Sequence, residues 1–222
     1  MIKVTTGIYL LHTVSNPSPR LLFPAPLAKN LIRWVCGKIE SCFLRFGRYR
    51  SKTKGFQPLA EFKKNHHLAP DLLILDGIAL RPPEEQSVLH HQLLRYEQAL
   101  SASSQVREGM VDLLAALDNS GLPTALLTNN HRAATEIALQ KHSLAFAMVL
   151  TREDAPPKPS PALLKRALDH FGLKPHEAIY IGDSEGDLQA AQALKMTVWF
   201  LATPHNSTFH PRFEYPVELL QA

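Results

Sequence analysis

The residues with the most chemical potential lie in IYIGDSEGD, which closes on Asp187, and in APPKPSP, which places Lys158 about two dozen residues upstream. An apolar run stops at Gly182, and Asp183, Ser184 and Asp187 follow in quick succession. Two carboxylates at the mouth of a buried strand are costly unless positive charge sits between them. A hard cation such as Mg²⁺, with its preference for oxygen ligands, or a nearby lysine would supply that charge. A site holding Mg²⁺ and a lysine suits a phosphoryl group, whose negative charge both would neutralise.

Each member of the set also has a plainer reading. Ser184 with Asp187 three residues later imitates a capping box, with Asp in place of the usual Glu, and that alone would account for Asp187. Asp183 also has a reading as an ordinary loop carboxylate, which the tight Gly182 before it disfavours. Thr128 or Asn129 would cap a helix beginning near His131, which is compatible with anion binding, since the free N–H groups of a helix start attract anions. Taken in order and spacing, the set is more specific than any member.

Positioning these residues requires a rim. From residue 71 the chain alternates short apolar runs with amphipathic stretches. The runs are LLIL (72–75), TALLT (124–128), AMVL (147–150), AIYI (178–181) and VWFL (198–201), and helices are expected near 84–102, 107–119, 131–142, 160–171 and 185–194. Short, continuous apolar strands between helices predict an α/β fold, a Rossmann-like parallel sheet flanked by helices on both faces. Polar residues follow the strands at once: Asp76-Gly77, Thr128-Asn129-Asn130 and Asp183. Ligands of such sheets sit outside the carboxyl ends of the strands, so these groups are expected to converge.

The head of the chain is different. Residues 1–70 hold twelve Lys and Arg against two Glu, whereas residues 71–222 hold twelve against eighteen acidic residues. Residues 1–66 therefore read as a basic extension, partly helical or irregular, ahead of a body over 67–222. Leu27, Leu31, Trp34, Val35, Ile39, Cys42, Phe43 and Phe46 form a helical stripe. That stripe would pack on the body, or would set a basic helix over 27–50 against an anionic membrane surface or a partner. No nucleic-acid-binding motif accompanies the charge, so nucleic acid is not expected as a partner. No apolar run approaches the roughly 18 residues of a membrane span. Cys36 and Cys42 lack a zinc or redox spacing and read as plain thiols. A cytoplasmic location is the expectation, with peripheral membrane association or organelle targeting by the basic leader as alternatives, and the sequence leaves the oligomeric state open.

LLILDGIAL, LLTNN, PPKPSP and IYIGDSEGDLQAAQALKM together resemble the haloacid dehalogenase-like (HAD) hydrolase superfamily, in its phosphoglycolate-phosphatase-like branch. The resemblance covers about residues 71–205. It implies Mg²⁺-dependent transfer of a phosphoryl group from a small phosphate monoester through an aspartyl-phosphate. Thr128 and Asn129 would bind the phosphate, and Lys158 would hold it and offset the carboxylates. Asp183 would hold Mg²⁺, and Asp187 would hold it directly or through water. The family's first motif supplies two aspartates one residue apart, a nucleophile and an acid/base. Aligned on Asp76-Gly77, it makes Asp76 the acid/base and puts Ile74 at the nucleophile position. With Asp76 as the metal-binding nucleophile instead, Ile78 falls at the acid/base position. One carboxylate is lacking either way, which implies weak or lost catalysis, or a silent binding protein. A small helical cap is expected over about 80–105.

Overall fold

The computed structural model describes residues 58–203, 206–215 and 218–219, together with the backbone of two strands at 33–36 and 44–46. Five strands line up in parallel as β1 (Arg33–Cys36), β4 (Thr124–Leu127), β5 (Met148–Leu150), β6 (Ala178–Gly182) and β7 (Thr197–Leu201). The order is β5-β4-β1-β6-β7, with the two-residue β8 (Arg212–Phe213) pairing parallel at the β7 edge. A separate antiparallel pair joins β2 (Leu44–Phe46) to β3 (Ser104–Val106).

Alternation along β4 and β6 builds two layers of core. Leu126, Ile179 and Ile181 face α4 (Met110–Asn119) and α5 (Arg132–His142), packing with Met110, Leu113, Leu117 and Ala138. Ala125, Leu127, Ala178 and Tyr180 face the opposite layer, α6 (Ala162–Phe171) and α7 (Glu185–Ala193). The expected parallel sheet covered on both faces is what forms, and four of the five expected strands are in place.

The fifth is not. LLIL runs into a helix, α2 (Ile74–Ala79), and the sheet position expected for it belongs to RWVC. Trp34 is in register with Thr124 and Ile179, and Cys36 with Leu126 and Ile181, so β1 is the central strand. The physical reason is competition for partners. Four apolar residues satisfy a buried helix as well as a buried strand, and Ile74, Leu75 and Ile78 pack with Phe62, Leu68, Leu89 and Leu93 in a third apolar cluster outside the sheet. Ile74 is therefore a packing residue of that cluster and Asp76 an exposed helix residue, so the first motif read at 74–76 is corrected.

Two boundaries move with it. The helical stripe expected over 27–46 is crossed by β1 and β2, since strand pairing overrides a helical period there. The rest of 27–50, on which a membrane or partner contact was expected, lies outside the described residues. The helical insertion begins earlier than the expected 80–105. It comprises α1 (Pro58–Asn65), α2 and α3 (Pro83–Ser103), hung between β2 and β3. Arg81 closes its first turn by donating to the carbonyls of His66 and His67 at 3.0 and 2.9 Å.

Candidate functional site

The carboxyl end of β6 delivers Asp183 to the rim, and Ser184 starts α7 there. The capping box is present: the Ser184 hydroxyl accepts from the Asp187 N–H, and Asp187 Oδ2 accepts from the Ser184 N–H at 3.1 Å and hydroxyl at 2.6 Å. Asp187 does more than cap. Its Oδ2 also takes the Asp183 N–H at 3.1 Å, while Oδ1 accepts from Lys158 Nζ at 2.8 Å and the Tyr180 hydroxyl at 2.7 Å. The plain and the chemical readings of Asp187 therefore coexist in one side chain. Gly182 makes room for it, since a Cβ there would lie 2.5 Å from Asp187 Cβ.

Burial alone would raise the Asp187 carboxyl. Lys158, Ser184 and Tyr180 outweigh that and hold it well below the usual carboxylate range. Lys158 is equally enclosed, at 2% exposure. Its ammonium reaches the Leu127 carbonyl at 3.1 Å, the Tyr180 oxygen at 2.9 Å and Asp187, which accounts for all three donors.

The β4 end supplies the neighbouring loop. Thr128 is fully buried and its Oγ1 accepts from the Asn130 N–H at 3.1 Å. Asn129 does not cap α5. Its amide pairs with the backbone of Lys158, Nδ2 donating to the carbonyl and Oδ1 accepting from the N–H, both at 2.8 Å. The cap is His131, whose Nδ1 accepts from Ala133 N–H. Thr128, Asn129, Lys158, Asp183 and Asp187 thus share one rim, and Asp76 is not tied to it by any contact among the described residues.

Four further residues belong to this assembly. Tyr180 was hidden inside an apolar strand, where only its hydroxyl signals a role. Buried Asn206 donates to the carbonyls of Asp183 and Leu201 at 3.2 and 2.8 Å, holding the loop after β6. Arg152 follows β5, close in sequence to Lys158, and donates to the Asn129 carbonyl at 2.9 Å. It pairs with Glu97 of α3, which also accepts the His131 N–H at 3.1 Å. Desolvation pushes the Glu97 carboxyl above its ordinary range, against the pull of Arg152.

Asp187 as it stands leaves no oxygen for direct contact with Mg²⁺, and Asp183 is the carboxylate that would hold the ion. Both Asp187 oxygens are committed to five protein donors, more than the roughly four lone-pair sites of a carboxylate. Among the described residues no three His, Cys, Asp or Glu side chains cluster as ligands. In sequence, Cys36 is followed by Gly37-Lys38-Ile39-Glu40, and no aspartate occurs before Asp71.

The structure is thus an α/β protein with a parallel sheet, a helical insertion after its central strand, and a threonine, a lysine and two aspartates at the carboxyl rim. The haloacid dehalogenase-like hydrolase family model matches residues 77–201, more than half of the chain, and the chain belongs to that family. It is 29% identical over 133 residues to a phosphoglycolate phosphatase of Nitrosococcus oceani, with 59% of each chain covered. It is also 29% identical over 114 residues to a haloacid dehalogenase-like hydrolase domain-containing protein of Arabidopsis thaliana, covering 51% of this chain and 46% of the relative. The chain thus spans about half the length of the curated relatives it matches. In fold it is similar to a hydrolase from Pseudomonas syringae, with a TM-score of 0.67 at 20% identity, covering 85% of this chain and 96% of that one. No helix among the described residues is long and apolar enough to cross a membrane.

Proposed function

We propose that this chain binds the phosphoryl group of a phosphate monoester at the carboxyl rim, and that its turnover is low or lost. The observation that supports it best is the buried assembly of Lys158 with Asp187, Tyr180 and Asn129 beside Thr128. The Thr128 hydroxyl accepts from the Asn130 N–H and keeps its proton to donate to an anion. Lys158 supplies the positive charge once an anion competes with Leu127 O for one of its donors. Low turnover follows from the segment after β1, in which Glu40 is the lone carboxylate up to residue 57 and the Asp-x-Asp pair of the family's first motif does not occur. The loss of a covalent nucleophile costs orders of magnitude in rate.

A second reading, a working phosphatase, is favoured by the relatives that carry that name. One experiment separates the two. Inorganic phosphate is titrated into the chain by calorimetry, and phosphate release is measured with Mg²⁺ from an aryl phosphate and a panel of small phosphomonoesters, with Asp183→Asn as control. The proposal expects saturable phosphate binding and release no greater than that of Asp183→Asn. Release well above that control establishes the phosphatase; no saturable binding removes the phosphoryl site.

A further inference from the structure

We infer that Glu97 and Arg152 are positioning residues, which couple the long helix of the insertion to Lys158 through Asn129. This rests on the reading of Lys158 as a hydrogen-bond donor to the phosphoryl group, but its geometry stands in the ligand-free protein. An unbroken series of hydrogen bonds leads from one to the other. Glu97, at 3% exposure, takes the Arg152 guanidinium on one oxygen and the His131 N–H on the other. Arg152 Nη1 is shared with the main-chain carbonyl of Asn129, and the Asn129 amide grips both backbone groups of Lys158. Lys158 in turn carries the Asp187–Tyr180 assembly.

Packing gives the series something rigid to act from. The last turns of α3 lie along α5 and are fastened again at their far end. Lys141 donates to the carbonyls of Ala102 and Ser104 at 2.6 and 2.8 Å, and Ser104 Oγ bonds the His142 ring at 2.9 Å. The C-terminal half of α3 is therefore attached to the sheet domain at both ends, and Glu97 is its contact nearest the phosphoryl loop. An arginine fixed by one carboxylate can orient a carbonyl that a mobile one would not. Continuity in space alone is a weak warrant for coupling, so the test must read Lys158 itself.

The Lys158 ammonium signal is observed by NMR in ¹⁵N-lysine-labelled full chain without ligand, assigned by its disappearance in Lys158→Arg. Glu97→Gln and Arg152→Met are each expected to move this signal and speed its proton exchange. The double variant should do no more than the stronger single change. Leu89→Ala, in the same helix two turns away, should lower the unfolding temperature and leave the signal in place. Arg152→Lys substitutes if Arg152→Met does not fold. A Lys158 signal unmoved by the Glu97 and Arg152 variants, or moved as much by Leu89→Ala, overturns the inference. A phosphate titration on the same samples reports separately on the phosphoryl site, so the failure of either idea is recognisable.

Discussion

Asp187 and Glu97 are both carboxylates buried beside a basic side chain, yet their carboxyl groups are shifted in opposite directions from the ordinary value. Asp187 is fully buried and receives five N–H and O–H donors, so its charged form is favoured against the cost of burial. Glu97, almost as buried, receives donors from Arg152 and His131, and desolvation prevails. Burial is nearly the same in the two places. The number of donors aimed at the carboxylate decides which way it goes. The Asp187 region is thus a fixed charge beneath the rim, and the Glu97 region is a weakly held one at the seam between insertion and sheet.

Removing Asp187 would break the comparison most severely. Asp187→Ala leaves Lys158 charged and enclosed, and should cost about 3–5 kcal/mol of unfolding free energy by urea titration. A loss below about 1 kcal/mol would mean that water reaches Lys158. Gly182→Ala attacks the same region sterically, by forcing a methyl into the Asp187 side chain, and should cost about 1–3 kcal/mol in the same assay. Glu97→Gln should cost less, under about 1 kcal/mol at neutral pH, because the amide oxygen still accepts from His131 and burial already opposes the charged form of Glu97.

The two carboxylates also predict opposite slopes of stability with pH. The folded Glu97 carboxyl lies above its unfolded value, so its contribution is present below about pH 4.3 and is lost as pH rises through the folded value. The folded Asp187 carboxyl lies below its unfolded value, so its contribution is present above about pH 3.9 and is lost as pH falls. Thermal unfolding measured from pH 3 to pH 8 should show Glu97→Gln falling less than the unmodified chain between pH 4.5 and 7. Parallel curves would contradict the difference between the sites. The smallest effect belongs to the surface. Lys165→Ala breaks a pair with Asp169 in which both side chains are more than 60% exposed, and should change stability by no more than about 0.5 kcal/mol.

The sheet domain was legible because its strands are bounded on both sides. TALLT ends at Thr128-Asn129, AIYI at Gly182-Asp183, and helices with clear starts separate them. Thr128, Asn129, Lys158, Asp183 and Asp187 came out together because each follows a strand or opens a helix on one rim. LLIL misled because a four-residue apolar run followed by Asp-Gly has no period to tell strand from helix. RWVC was overlooked because its residues also fit a helical stripe, and only pairing with β4 and β6 decides between them. Tyr180, Glu97, Arg152 and Asn206 carry no local motif. They matter through partners seven to fifty-five residues away, which no spacing rule reaches.

The most direct test of the phosphoryl site is calorimetric titration of inorganic phosphate into the full chain and into Thr128→Val, which keeps the shape of the side chain and removes its hydroxyl. The account predicts saturable binding to the unmodified chain and a weakening of about tenfold in the variant, equivalent to roughly 1.4 kcal/mol. Equal affinity in the two proteins, or no saturable binding to either, would contradict it.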